Sequence, residues 1–259
     1  MKYLILILSL IFLPAQAEIS TTAEAINKAG LQRMLGQRIV KSYLMVGSDV
    51  KAEKAQQELD QAIALFEQQH LELLDFAPSA KINNALEKVS ELWMPFRLKA
   101  VSRPDKQTAA ELIKTSDALF ERSNNVVYLL EKHANSKAAQ LVNISGKQRM
   151  LSQKIAKLYM AMAWHINQQG IEKSFQQTLN EYQQGLNKLQ QAPENTAAIN
   201  SQLNKINAQW EFSKAGFSQY KEGRYVPTLI SVTTESMLKK MDELTGDYQR
   251  LTEQTLAAH

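Results

Sequence analysis

Arginine, glutamine and lysine spaced four apart on one helix make a strip of hydrogen-bond donors, and this sequence carries that strip twice. Arg33, Gln37 and Lys41 return as Arg149, Gln153 and Lys157, and a glycine stands three residues before each arginine, at Gly30 and Gly146. The repeat is gapless: of the 17 positions from Asn27 to Tyr43, ten are identical 116 residues later. A guanidinium offers planar, permanently charged N–H groups that match a planar or tetrahedral oxyanion. Such charge-assisted bonds contribute about 1.5–3 kcal/mol each once shielded from water. No carboxylate falls on the same face of either repeated segment. Two strips meeting across a pseudo-twofold axis would enclose one small anion between Arg33 and Arg149.

The elements that position these residues are helices. Nine glycines, few aromatics and abundant Ala, Gln, Leu, Lys and Glu favour helix throughout. The spacing agrees: Leu35, Ile39, Ser42 and Val46 share a helical face, as do Leu151, Ile155, Leu158 and Met162. Gly30, Arg33, Gln37 and Lys41 lie about 150° away on the same wheel. That face is spared from the local core and retained in both copies, so it is expected to meet another helix. A mid-helix glycine costs about 0.5–1 kcal/mol relative to alanine, so its presence in both copies points to a close approach of backbone or ligand.

The apolar periodicity predicts helices at about 22–47, 50–76, 80–101 and 105–133, then 137–168, 171–191, 195–221 and 228–256. Thr21 and Glu24 have capping-box spacing. Pro95 is expected to kink or shorten the third helix, whereas Pro104 and Pro227 suit the start of a fourth. Trp93 and Trp210 fall at matching places in apolar stripes and are expected in the core. The fold class is all-α, with two tandem antiparallel four-helix-bundle modules. Residues 131–141 decide whether these stack end to end or lie side by side. With Asn135-Ser136 as a cap for the fifth helix, a hairpin and a side-by-side internal pseudo-dimer are expected.

At the amino terminus, Met1-Lys2, the apolar run Tyr3–Leu13 and Pro14-Ala15-Gln16-Ala17 read as a cleaved signal peptide. The expected organisation is therefore a signal peptide at 1–17, a first module at 18–134 and a second at 135–259, in the periplasm. There is no cysteine, so stability must come from packing alone. The net charge of +4 is mild and suits anionic small ligands better than nucleic acid.

The pattern Asn-x-x-Gly-x-Gln-Arg-Met-Leu-x-Gln-(Arg/Lys)-Ile resembles the first-helix signature of the PilJ/NarX-type sensor domain. That module is the extracytoplasmic four-helix bundle of type IV pilus methyl-accepting transducers and nitrate/nitrite sensor kinases. The resemblance implies that Arg33 and Arg149 bind a nitrate-class anion between paired first helices, with Gly30 and Gly146 allowing close approach. The family's transducers are membrane-tethered and signal through cytoplasmic output modules. This sequence offers neither, so its ligand state would pass to a membrane-bound receptor or transducer. Lys154 also departs from Arg38 of the first copy.

Other chemistry is scarce. His70, His133, His165 and His259 form no metal-ligand pair, and neither a phosphate loop nor a nucleophile elbow occurs. Glu53, Glu58 and Glu67 read as helix-surface carboxylates. The expectation is a non-enzyme without cofactor. It either senses an anion or, alternatively, is a structural module whose repeated Gly/Arg/Gln face docks a helical partner or a second copy.

Overall fold

The computed structural model describes residues 18–135 and 137–257. The expected signal peptide at 1–17, and Ser136, lie outside them. The described residues form eight helices: α1 Thr22–Gly47, α2 Ala52–Phe76, α3 Ala80–Ala100, α4 Lys106–Ala134, α5 Lys137–Ala163, α6 Ile171–Gln190, α7 Ala197–Ser218 and α8 Pro227–Ala257. A 3-10 turn, Gln219–Glu222, joins α7 to α8.

The helix ends follow local chemistry. Thr21, Ser79, Asp105 and Thr196 each accept a backbone N–H of the first turn and cap α1, α3, α4 and α7. The box at Thr21 closes differently from the expectation. Glu24 donates its N–H to Thr21, but its carboxylate accepts from the backbone of Ser20, one residue earlier. Pro95 lies inside α3, which runs on to Ala100 without being shortened. The fifth helix stops at Ala163, short of 168, because His165 takes a left-handed conformation and Ile166 bonds back to Ala161. The seventh ends at Ser218 and tightens into the 3-10 turn, which Gly223 closes at a φ of 71°. Asn135 acts at the other helix end from the one expected. Left-handed at a φ of 44°, it closes the C-terminus of α4 with its N–H on the carbonyl of Glu131.

In the first module α1 packs on α2 and α4, and α3 lies against α4; in the second, α5 packs on α6 and α8, and α7 lies against α8. The modules lie side by side, joined mainly through α1 and α5. These run parallel: Gly30 abuts Gly146 near their starts, and the Trp164 ring fills the space beside Gly47 at their ends. This two-sided role explains why α1 is buried nearly all round, including Gln32, Arg33, Gln37 and Lys41. An outer helix such as α6 buries only the stripe Ile171, Phe175, Thr178, Tyr182, Leu186 and Leu189.

The cores repeat as the outer stripes do. Trp93 stacks on Phe66 with centroids 3.9 Å apart and donates Nε1–H to Glu67, whereas Trp210 packs on Tyr182 at 4.5 Å and donates to Gln183. Both indoles are core, as their stripes implied, and each has a partner for its N–H.

Candidate functional site

The seam between α1 and α5 is built in polar layers, and the first begins at the glycines. A Cβ placed on Gly30 would lie 3.3 Å from Nη2 of Arg33, 3.4 Å from Nη2 of Arg149 and 3.9 Å from the Cα of Gly146. The reciprocal environment surrounds Gly146. Both guanidiniums, each about 1% exposed, therefore converge on one glycine crossing. Arg33 Nη2 donates across the seam to the carbonyl of Asn143 (3.3 Å), and Arg149 Nη2 donates to the carbonyl of Asn27 (3.1 Å) and to its side chain (2.7 Å).

The fourth helices supply the remaining partners. Arg33 Nη1 donates to Asn124 Oδ1 of α4 at 2.9 Å, and Arg149 Nη1 to Asp242 Oδ1 of α8 at 2.5 Å. Seven residues further along each helix, Glu131 accepts from Asn143 Nδ2 and Gln249 accepts from Asn27 Nδ2. The two halves thus make the same bonds with charges exchanged: amide then carboxylate on α4, carboxylate then amide on α8. The Nε–H groups of Arg33 and Arg149 are buried without a protein acceptor among the described residues.

One turn on, Gln37 and Gln153 are also fully buried. Gln37 donates to the carbonyl of Ser116 at 3.4 Å, while neither amide atom of Gln153 has a hydrogen-bond partner among the described residues. The next layer holds Lys41 and Lys157, both without exposed surface. Lys41 reaches Glu58 of its own module (3.0 Å) and Glu235 of the other (2.5 Å), and Arg38 also pairs with Glu235. Lys157 crosses the seam to Ser116 and Asp117, at 3.0 Å each. Glu58, expected on the surface, is buried because α2 lays it against Lys41.

A family model for the type IV pili methyl-accepting chemotaxis transducer N-terminal domain, PilJ, matches residues 16–119 and again 132–226. The chain belongs to this family. Comparison with curated proteins and with solved structures gives no match. The PilJ matches take in both repeated first helices but stop before Asn124 and before α8. The fourth-helix residues that pair with Nη1 of the two arginines in this PilJ protein, Asn124 and Asp242, thus lie beyond the matched segments.

Electrostatics distinguishes the two copies. Burial, and then the charge of Arg149, pulls the pKa of Arg33 down to about 9, with Glu131 opposing. Arg149 is lowered by burial too, but Asp242 works against the shift. Burial brings Lys157 down to about 8, with Asp117 opposing and Lys154 adding to the fall. Glu235 is pushed up by burial, yet Lys41 and Arg38 outweigh that and lower it.

All eight residues singled out in the sequence lie on this seam. What the sequence reading missed is the second rank: Asp117, Asn124, Glu131, Glu235, Asp242 and Gln249. A signal for them exists. Leu112, Ser116, Asp117, Leu119 and Val126 of α4 correspond to Ile230, Thr234, Glu235, Met237 and Leu244 of α8. That correspondence runs two residues out of step with the offset of the first helices, because the connections between helices differ in length.

Among the described residues no helix is long and apolar enough to cross a membrane, and no group of three or more His, Cys, Asp or Glu is placed to hold a metal.

Proposed function

We propose that this PilJ protein is a sensing module that holds a small oxyanion of the nitrate or nitrite class between Arg33 and Arg149. The observation that carries the reading is the convergence of two buried guanidiniums, each with an Nε–H unpaired among the described residues, on a single glycine crossing. Like charges held together away from water repel, and an anion between them would relieve both. Gln37 and Gln153 would add amide donors from the next turn. In this reading the protein works in the periplasm after removal of residues 1–17, and passes its state to a membrane-bound transducer. An anion at the seam can do that only by favouring one packing of the two modules over another.

A second reading has its own support. Lys41 and Lys157 are fully buried and ion-paired across the seam, which suits a lock between modules better than a ligand site. The helical partner of the repeated Gly/Arg/Gln face is then the other copy within the chain. We assign the lysine layer to holding register and the arginine layer to the anion.

Thermal unfolding of the purified protein in nitrate, nitrite, sulfate, phosphate and chloride at matched ionic strength tests the anion. A ligand at about 100 times its Kd adds about 2.7 kcal/mol, or roughly 5–10 °C of Tm for a chain of this size. A selective rise that disappears in Arg33→Ala/Arg149→Ala supports the site. Equal Tm in every anion removes it.

A further inference from the structure

The internal duplication supplies its own control experiment, because each half displays the same bond with one group changed. Arg33 is met by the neutral amide oxygen of Asn124, and Arg149 by the carboxylate of Asp242. The amide fixes a guanidinium without neutralising it. The carboxylate does more, since it is itself an oxyanion placed on a donor that a ligand would use. Its location fits that role. The Asp242 side chain is 58% exposed whereas that of Arg149 is 1% exposed, so the carboxylate reaches in from solvent and covers the arginine. Asn124 is half-buried in the corresponding place.

We propose that Asp242 is a tethered competitor for the anion, one that sets a weak affinity and makes the site asymmetric. This rests on the anion reading above. Arg33, with the positive charge of Arg149 as a near neighbour, is the leading cation for the ligand. Arg149 is masked until Asp242 yields or shares its Nη1–H. An anion reaching for Nη1 of Arg149 must displace a like charge bonded to it, whereas one reaching for Nη1 of Arg33 displaces a neutral amide. Glu131 carries its charge near Arg33, but it accepts from the Asn143 amide and holds no guanidinium N–H among the described residues, so it does not compete for that donor.

Isothermal titration calorimetry with sodium nitrate and sodium nitrite, at constant ionic strength, tests this on wild type and a set of variants. Asp242→Asn gives the second half the residue of the first, and is expected to tighten binding about tenfold, the equivalent of removing one nearby like charge. Asn124→Asp masks the remaining arginine and is expected to weaken binding at least as much. The exchange Asn124→Asp/Asp242→Asn keeps the net charge and is expected to return affinity to within about twofold of wild type. Should Asp242→Asn unfold, Asp242→Ser provides the same comparison. If Asp242→Asn and Asp242→Ser bind no tighter than wild type while Arg33→Ala/Arg149→Ala abolishes binding, the competitor is refuted and the anion site stands. If no variant binds either anion, the anion reading fails and the competitor goes with it.

Discussion

At the residue scale, two lysines in equivalent places have unequal company. Lys41 has Glu58 and Glu235; among the described residues Lys157 has only Asp117 and a serine hydroxyl, because Ser174 stands where the first copy has Glu58. Burial therefore wins at Lys157 and lowers its pKa to about 8, whereas an unfolded lysine titrates near 10.4. Between those values the unfolded chain binds a proton that the folded chain has released, so stability rises with pH across that window. Unfolding in urea from pH 7.5 to 10 is expected to show wild type gaining about 2 kcal/mol relative to Lys157→Met. At pH 7 the methionine variant should be as stable as wild type or more so, since a weakly compensated buried charge is replaced by a packed apolar chain. A flat difference between the two proteins over this range would refute the assignment.

Among the elements, α1 and α5 were the most legible from sequence and α4 and α8 the least. The repeated Gly30, Arg33, Gln37 and Lys41 lie on the face where each first helix meets the other, and identical residues in both copies betrayed a shared environment. The fourth helices carry complementary groups rather than identical ones, so Asn124 and Asp242 do not announce themselves as a pair. Helix interiors were readable from apolar spacing, but ends set by left-handed residues, such as His165 and Asn135, were not. Glycine gives the sharpest test at this scale. Gly30→Ala would press a methyl group against two guanidiniums at 3.3–3.4 Å. It is expected to cost about 1 kcal/mol despite better helix propensity, and Gly30→Leu about 3 kcal/mol. Gly246→Ala, whose Cβ would meet only the flexible end of Arg250 at 3.5 Å, should stabilise by about 0.5–1 kcal/mol. Chemical denaturation of the three variants decides whether the crossing, rather than glycine as such, sets the sign.

For the whole molecule, the seam makes each module incomplete alone. Residues 18–134 by themselves would expose Gly30, Arg33, Gln37 and the buried Lys41 on one face. Such a fragment is expected to pair with its own copy through α1, which sedimentation over a hundredfold range of concentration would reveal. A folded fragment that stays monomeric throughout would contradict it. The hairpin at Asn135 removes that dependence from the intact protein. Two separate subunits find each other at a rate and extent set by how many are present, and a ligand bridging them can act simply by gathering them. Here the second subunit is always within reach, at an effective concentration on the order of millimolar for a short connection. Copy number and dilution then drop out of the response, which is one complete seam per chain from the moment of folding. In the proposed reading, the seam then responds to the anion without first having to be assembled.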